Sequence, residues 1–385
     1  MGLRATIIRE LRRLVSRPIY LFSMVAVPIV CTSFFVSLLS EGLPTKVPTA
    51  VVDHDNSSLS RQVIRDLGAS ELIDIKRHLD SYHEALDAVR SGEVFGFFIL
   101  PDEFEKDAIA GRSPSITYFC NMAYYIPGTL SFKGFKTVAV STAGGVVTMQ
   151  LMSEGVDGGL VGGLIQPLAV QDHAIGNPWT DYAIYLCNSF APGALALMIM
   201  LVTVFAICEE IKRATSIEWL ETARGSIEVA VLGKMLPHTV VFSIVGVFIQ
   251  SVMFGYNHYP LNGSVWAMVM AMVMLVVACQ ALALLVCCLL PNLRFALSVV
   301  SLLGVLSFSI TGFSFPLENM YGAVAIFSYI VPVRYYFLIY IDQALNGISL
   351  YYSRYYFVAL AIFPLIASTM LWRLKKAYER SVYVP

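Results

Sequence analysis

The sequence predicts an α-helical integral membrane protein with six transmembrane helices and an inserted extracytoplasmic α/β domain. Hydrophobic residues make up 57% of the 385-residue chain and charged residues only 14%, whereas about 25% of an average soluble domain is charged. Six stretches are apolar over the roughly 20 residues that a helix needs to cross a bilayer. Between the first and the second of them, short β-type runs alternate with helical ones, which is typical of an α/β domain.

The six apolar stretches predict the transmembrane helices. They cover residues 19–39, 183–207, 229–254, 265–290, 296–315 and 355–372. We expect the first to remain as an anchor, because it is too long for a cleaved signal segment, contains Pro28 and is followed by no small-residue cleavage pattern.

The distribution of Lys and Arg predicts the orientation. Fourteen of these residues flank the spans on the side of the N-terminus, whereas the short segments on the other side hold only Arg334 and Arg354. Since positive residues are retained on the cytoplasmic side, we expect a multi-pass protein of the cell inner (plasma) membrane with both termini in the cytoplasm and residues 41–180 outside it.

This orientation divides the chain into a cytoplasmic amphipathic helix, an anchor, an outer domain, five further spans and a cytoplasmic tail. The corresponding ranges are 1–18, 19–39, 41–180, 183–374 and 375–385. Residues 41–180 contain 17 acidic and 10 basic side chains, and about 140 residues can bury a core of their own. Residues 126–157 predict one long helix and residues 164–173 a further strand. The chain has no concentrated basic face, so we expect no nucleic-acid partner.

The stretch "DHDNSSLS", residues 53–60, allows two interpretations. Alternating Asp53 and Asp55 resemble a calcium loop, but Ser58 and Ile64 occupy the places of the Gly and Glu that such a loop requires. Capping of the following helix by Asp55, Asn56 or Ser57 is the better explanation. Cys120 is alone in the outer domain, and the adjacent Cys287 and Cys288 are expected to be small apolar helix residues rather than metal ligands.

Residues 2–16 predict an amphipathic helix at the membrane interface. Apolar side chains recur at helical spacing, with arginines on the opposite side. Binding of these arginines to lipid headgroups and a role in signalling both remain open.

The chain contains no motif that predicts catalysis. H-E-x-x-H, G-x-S-x-G and the nucleotide-binding G-x-x-x-x-G-K-[ST] are missing from the sequence. The spans are nearly free of ionisable side chains, which disfavours proton relays. We expect Lys234 and His238 to extend from the edge of span three to the cytoplasm, and Asn188, Gln250 and Gln280 to be merely polar. The chain is therefore expected not to be an enzyme.

The charged loop "EEIKRATSIEWLETARGS", residues 209–226, is the candidate site at which energy enters. A transporter with neither a proton relay nor a nucleotide-binding loop must draw its free energy from elsewhere, most simply from a separate ATPase. This charged loop is the obvious candidate for the surface on which that ATPase acts. As a helix, the loop pairs Glu209 with Arg213 at i,i+4 and aligns Ile211, Thr215 and Trp219. A solvated hairpin without a partner is the alternative.

In residues 209–237 the sequence resembles the membrane subunit of ABC-2 type transporters, in the branch with a large outer domain between spans one and two. The positions in step with that family are Glu209, Glu210, Thr215, Leu220, Thr222, Gly233 and Lys234. Ala214 and Ala223 replace the usual Gly and Pro.

A second stretch, "TGFSFPLENMYGAVAIFSYIVPVRYYFLIYIDQALNG", is similar to the family's segment after span five, and "DHDNSSLS" resembles the opening of its outer domain. Here the matching positions are Gly312, Phe313, Pro316, Leu317, Met320, Pro332, Tyr335, Tyr336 and Gly347. Tyr321 stands in place of a frequent Pro.

The resemblance implies a type V exporter fold whose permease subunits form a homodimer or heterodimer. It also implies that ATP and Mg²⁺ bind in a cytoplasmic ABC ATPase, which is expected to dock on the loop and on the N-terminal helix, and that this chain carries no cofactor. The residues that the resemblance assigns to ATPase coupling are Glu209, Glu210, Arg213, Thr215, Trp219, Leu220, Gly233 and Lys234. A substrate path along spans two and five is assigned to Asn188, Met198, Phe205, Phe308 and Thr311. An outer gate in a re-entrant segment is assigned to Gly312, Pro316, Pro332, Tyr335 and Tyr336.

The expected activity is export of a hydrophobic or amphipathic solute, and the resemblance also allows a periplasmic membrane-fusion adaptor as a partner. Two alternatives remain: a phage-receptor or peptide-secretion relative of the same fold, and a six-span ligand sensor. A sensor is disfavoured because only the short "RLKKAYERSVYVP" follows the last span.

Overall fold

The computed structural model describes residues 2–40, 42–165, 176–178, 181–312 and 315–380. The chain divides into two compact units. The membrane unit comprises Met1–Gly42 and His173–Pro385, and the inserted unit comprises Leu43–Asp172. Among the described residues, six helices are long and apolar enough to cross a membrane, as predicted.

The N-terminal helix α1 (Leu3–Ser16) leads directly into span one (Pro18–Leu38). Pro18 occupies the first helical position of the span, where its missing N–H costs nothing. A π-helical turn, Phe22–Ala26, precedes Pro28. Proline in a helix removes an i→i−4 hydrogen bond, and a widened turn accommodates that loss.

The inserted unit is built on one four-stranded sheet. Its strands are β1 (Val47–Asp53), β2 (Ile73–Leu79), β3 (Gly96–Leu100) and β4 (Thr117–Cys120), in the order β2-β1-β3-β4. β1 pairs in parallel with β2 and β3, and β4 pairs antiparallel with β3. The predicted α/β domain is thereby confirmed.

Helices cover both faces of this sheet, which explains why β1 and β3 are almost continuously apolar. They are α2 (Ser58–Ala69), α3 (Tyr82–Arg90), α4 (Phe104–Ile109) and α5 (Tyr125–Ser153). A further helix, α6 (Gly158–Ile165), packs against α5. The long helix predicted over residues 126–157 is α5. The strand predicted over residues 164–173 lies outside the described residues, apart from its first two, which belong to α6.

The loop at residues 53–60 caps a helix. Ser57 is the N-cap of α2, and its hydroxyl accepts a hydrogen bond from the Ser60 backbone N–H at 3.1 Å. Asp53 accepts from the backbone N–H groups of Asp55 and Asn56, at 3.1 Å each. The capping interpretation is confirmed, and Ser57 is the capping residue among the three that the sequence allowed.

The remaining spans complete the membrane unit. They are span two (Tyr182–Lys212), span three (Ile227–Tyr256), span four (Val265–Leu289), span five (Leu293–Ile310) and span six (Leu350–Arg380). The loop helix α7 (Ser216–Thr222) connects spans two and three. Spans two and four are the most buried, so they form the centre of the unit.

Two short helices, α8 (Gly322–Ser328) and α9 (Pro332–Tyr340), follow span five. α9 continues as a π-helical turn to Leu345, and the two helices meet at a bend of 80°. Such a bent pair fits the predicted re-entrant segment and also fits one broken span. Span six is interrupted by a turn at Met370 and ends as α10 (Leu371–Arg380).

Glycines allow spans two and five to pack closely. A Cβ at Gly304 would lie 2.4 Å from Leu197 Cδ1, and one at Gly193 would lie 2.5 Å from Phe308 Cε1. Small residues at such contacts are the usual means of close helix packing in membranes. Buried cysteines fill similar gaps: Cys208 and Cys287 pack with their sulfur atoms 3.6 Å apart and are both free thiols.

We expect the substitution Gly304→Ala to lower the free energy of unfolding by about 1–3 kcal/mol, because the added methyl group overpacks the contact with Leu197. Thermal unfolding of the detergent-solubilised chain measures this change. Gly255→Ala is the matched control, since a Cβ at Gly255 meets nothing within 4 Å. An equal effect of the two substitutions would contradict the packing explanation.

Candidate functional site: a buried charge cluster at the loop between spans two and three

Charged side chains from α1, the end of span two and the start of span three meet beside α7. Three carboxylates form the centre of this cluster, and all three are at most 2% exposed. Five cations pair with them. The carboxylates are Glu10, Glu209 and Glu210, and the cations are Arg9, Arg13, Arg17, Arg213 and Lys234. We call this set the buried charge cluster.

Glu210 lies on the last full turn of span two and binds donors from three other elements. Arg9 donates two hydrogen bonds to its carboxylate, at 2.9 and 3.2 Å, and Arg13 donates a third. Lys234 of span three donates at 2.6 Å, and the Thr215 hydroxyl donates from the start of α7. One carboxylate thus connects α1, span three and the loop.

Glu209, the preceding residue, binds a second set of donors. Its carboxylate accepts from Arg13 at 2.8 Å, from Arg17 at 2.7 Å and from the Tyr20 hydroxyl at 2.9 Å. The predicted pair with Arg213 is present, with 2.6 Å between Nε and Oε1. Glu209 therefore fixes the end of span two against α1 and the start of span one.

Lys234 is 1% exposed and forms the inner end of the cluster. Its ammonium lies 3.1 Å from Glu10, donates to the Ala206 carbonyl at 3.2 Å and lies 5.0 Å from the centre of the Trp219 ring. His238 Nε2 lies 2.9 Å from the other oxygen of Glu10. The prediction that Lys234 and His238 extend to the cytoplasm is wrong, because buried carboxylates hold both side chains inside the protein.

Glu10 is ionised at neutral pH in this environment. Burial by itself raises the pKa of Glu10, but Lys234 and His238 outweigh that effect and lower the pKa from 4.5 to about 2. Because the pKa is depressed in the folded state, the stabilisation is complete above about pH 4.5 and is lost as the pH falls towards 2.

α1 packs its charged side against the protein rather than against lipid headgroups. Thr6, Glu10 and Leu14, spaced four residues apart, are buried, whereas Leu11 is 47% and Val15 76% exposed. The amphipathic helix is thus present as predicted. However, the carboxylates of span two bind Arg9 and Arg13 of α1 and the adjacent Arg17. The interpretation that arginines of this segment bind lipid headgroups is therefore wrong for these three.

Gly233 permits the close approach of α1 to span three. A Cβ at this position would lie 2.6 Å from Thr6 Cβ. Sequence reasoning selected Gly233 and Lys234 but missed their partners on α1. The spacing of Arg9, Arg13 and Arg17 at i,i+4, complementary to the adjacent acids at 209 and 210, was the available signal.

The loop does not form the single helix that the sequence predicted over residues 209–224. Span two ends at Lys212, and Ala214 then adopts a left-handed conformation with φ +57°. α7 starts afresh at Ser216, so Ile211, Thr215 and Trp219 do not share one helical face. The hydrogen bonds to Glu210, from the Thr215 hydroxyl and from the Thr215 backbone N–H at 2.9 Å, stabilise this sharp turn.

The inner side of α7 is anchored to the C-terminal helix. Trp219 is fully buried and packs edge-on against Tyr378 of α10, with 5.3 Å between ring centres. Ser216 donates a hydrogen bond to the Tyr378 carbonyl at 3.2 Å, and the Tyr378 hydroxyl donates to Ile207 of span two at 2.7 Å. Leu220 is also buried. α7 is therefore fastened to spans two, three and six.

Three of the five predicted substrate-path residues meet around one small void. Asn188, Phe308 and Thr311 line it, together with Tyr336 of the predicted gate. Its volume is about 10 Å³, which is enough for roughly one water molecule. Met198 packs against the core and Phe205 packs against Tyr20, so neither lines this void.

The predicted gate residues belong to the segment around α8 and α9. Gly312 has φ +86°, and a Cβ there would lie 2.8 Å from Arg334 Nη1, which donates to the Thr311 carbonyl at 2.8 Å. Pro332 begins α9 and Pro316 is exposed. The Tyr335 hydroxyl donates to the Tyr329 carbonyl at 2.9 Å. Phe313, a position of the family resemblance, lies outside the described residues.

We expect the ion pair between Glu10 and Lys234 to be energetically coupled. Lys234→Met alone should cost about 3–5 kcal/mol of unfolding free energy, because it leaves buried carboxylates short of a partner. Lys234→Met combined with Glu10→Gln should cost less than the two changes added together, by about 0.5–3 kcal/mol. Denaturant unfolding of the solubilised chain measures all three variants.

The exposed pair Arg77 and Glu93 is the matched control for this cycle, since each side chain is nearly half exposed. Its coupling should stay below about 1 kcal/mol. If the losses of unfolding free energy in Lys234→Met and Glu10→Gln were strictly additive, the two side chains would not be energetically coupled.

We expect Ala214→Gly to stabilise the chain by about 1 kcal/mol, because an L-residue with a Cβ is strained in the left-handed region. The same substitution at Ala223, where φ is −88°, is the control and should destabilise the chain. Thermal unfolding measures both variants. A loss of stability in Ala214→Gly would contradict the strain that the turn implies.

Comparison with known proteins agrees with this architecture. A family model described as "ABC-2 family transporter protein" matches residues 18–373. A comparison with curated proteins finds no match. The family match includes all of the spans up to residue 373 and the inserted unit, whereas α1, which supplies Glu10, Arg9 and Arg13 of the cluster, lies before it. Because the match covers well over half of the sequence, the chain belongs to the ABC-2 family of transporter membrane proteins.

Proposed function

We propose that the chain is the permease subunit of an exporter whose ATP hydrolysis takes place in a separate ABC ATPase subunit. The observation that supports this most is the attachment of α7. Its inner side is fixed to spans two, three and six, while Ile217 is 50% exposed and the Glu218 side chain 69% exposed. A force on the exposed side of α7 is therefore transmitted to three spans.

Two grooves beside α7 offer a docking surface for the ATPase. One, of about 550 Å³, lies between α7 and α1 and is lined by four arginines, among them Arg9 and Arg12. The other, of about 530 Å³, is lined by residues of α7 and by Lys375 and Glu379 of α10. The ATPase surface that faces α1 should accordingly be acidic.

Within this proposal, the buried coupling residues transmit force and the exposed ones contact the ATPase. Glu209, Glu210, Trp219 and Lys234 are all at most 2% exposed, so they act inside the permease. Because each carboxylate binds donors on several elements, α1, α7 and the span ends would move as one body between an inward-facing and an outward-facing state.

The solute that we propose is hydrophobic or amphipathic. The void between spans two and five is lined by aromatic, aliphatic, hydroxyl and amide side chains, with no charged one among them. Its small volume corresponds to a closed path in this conformation.

Span five also leaves Leu302 and Val305 about 60% exposed, and a second permease subunit, identical or different, would cover this face in the membrane.

Reconstitution of the chain into liposomes, with and without its ATPase subunit, tests the function. We expect ATP-dependent movement of an amphipathic dye only when both subunits are present, with both termini on the ATPase side and the inserted unit on the other. Movement of a polypeptide instead would favour the secretion-type relative, and dye binding without movement would favour the six-span sensor. Dye movement without the ATPase would refute the proposal.

We expect Ile217→Asp to weaken ATPase binding and stimulated ATP hydrolysis at least tenfold, because a central apolar contact of an interface commonly contributes about 2 kcal/mol or more. Co-purification with the ATPase subunit and its hydrolysis rate are the measurements. Ile109→Asp is the matched control, since Ile109 is a 69% exposed isoleucine of the inserted unit. Equal effects of the two substitutions would exclude α7 as the docking element.

A further inference from the structure

A crevice between spans three and four has no role in the proposed transport path. Its volume is about 320 Å³, and mainly apolar side chains line it, among them Phe254, Leu261, Val265 and Met268. None of its lining residues lines the void between spans two and five. Gln250 provides the main polar group in the crevice and is only 4% exposed.

In the side-chain amide of Gln250, the nitrogen has hydrogen-bond partners and the oxygen has none. Nε2 donates to the Met268 carbonyl at 2.9 Å and to the Tyr336 hydroxyl at 3.0 Å, whereas Oε1 is buried without any hydrogen-bond partner. The carbonyl of Met268 can only accept, so it fixes the orientation of the amide. A buried hydrogen-bond acceptor without a donor costs free energy. The free Oε1 therefore indicates that a bound molecule donates a hydrogen bond to Gln250.

The position of the crevice places it where hydrocarbon meets the polar headgroups. It lies at the end of span three and the beginning of span four, where Tyr256 is 80% and Trp266 79% exposed. Exposed Tyr and Trp side chains are enriched at that depth.

An apolar stripe leads away from the crevice along span three. It consists of exposed side chains at intervals of four residues, namely Leu236, Val240, Ile244 and Phe248. A hydrocarbon chain that leaves the crevice would therefore run along the protein surface inside the bilayer.

The geometry points to a binding site for one phospholipid whose headgroup carries an N–H or O–H donor. The headgroup donates to Gln250 Oε1 on the side of Phe254 and Leu261, and one acyl chain passes Val247 and Val269 at the inner side of the crevice and continues along the stripe. The hydrogen-bond donor of the headgroup determines which lipid binds. An acyl chain gains little free energy when it moves from the surrounding lipid into the crevice. No Lys or Arg lines the crevice, so a negative charge on the lipid is not what the site recognises.

Native mass spectrometry of the full chain in detergent tests this site with two lipids. Dioleoyl-phosphatidylethanolamine has an ammonium donor, whereas dioleoyl-phosphatidylcholine has the same chains and no N–H. We expect the first to bind about tenfold more tightly, as one hydrogen bond from a charged donor to a buried acceptor implies. Equal binding of the two lipids would overturn the proposal and would mean that water satisfies Gln250.

Two variants complete the test. Gly255→Leu places a side chain in the crevice, which Gly255 lines, from a position where a Cβ meets nothing within 4 Å. It should abolish the preference, and an unchanged thermal unfolding temperature would show that the fold remains intact. Gly145→Leu adds the same side chain at an open position of α5 and should keep the preference. Gln250→Met should make the affinities for the two lipids equal. A preference that persists in Gly255→Leu would place the lipid elsewhere and refute the site.

Discussion

The ammonium group of Lys234, held between Glu10 and Glu210, is the constraint on which the rest of the membrane unit depends. A buried charge is tolerated only when it is paired and hydrogen-bonded. Lys234 meets this condition through two elements that are distant in sequence: α1 supplies Glu10, and the end of span two supplies Glu210. If α1 moved away, Lys234 and Glu210 would keep each other, but Lys234 would lose Glu10 and Glu210 would lose Arg9 and Arg13. The position of α1 and the inward direction of its arginines follow from this requirement, and so does the exposure of Leu11 and Val15.

The same constraint gives the loop between spans two and three its shape. Glu210 needs donors on the loop side as well, and Thr215 provides one only if the chain turns sharply at Ala214. That turn directs α7 across the span ends, where Trp219 packs between Lys234 and Tyr378. The loop is therefore a part of the folded core with one exposed side, and the alternative of a solvated hairpin does not describe it. A rigid element of this kind can transmit a displacement, whereas a mobile hairpin would absorb it.

Local patterns predicted the fold well because the periodicity of apolar residues reports directly on burial. The six spans and the alternating strands and helices of residues 46–157 depend on neighbours within a few residues, and the structure has them. The partners of Lys234 could not be predicted in this way. Glu10 lies 224 positions earlier in the chain, and an arginine that binds a carboxylate looks the same in sequence as one that binds a headgroup. The break at Ala214 was missed for a related reason, since alanine favours helix and only the tertiary contacts of Glu210 impose a left-handed residue there.

Polar side chains inside the spans differ in ways that composition does not reveal. Asn188 donates to the Ile184 carbonyl of its own helix at 3.0 Å, which satisfies the amide locally. Gln280 accepts from Thr239 at 2.7 Å and leaves its Nε2 without a partner, but it lines none of the cavities described above. Gln250 differs from both, because its free oxygen is an acceptor and its side chain lines a crevice at the level of exposed Tyr and Trp residues. In a bilayer, a polar group without a protein partner must find one among water or lipid headgroups. An acceptor at the edge of the hydrocarbon region is therefore a place where the identity of a lipid can affect the energy of the protein.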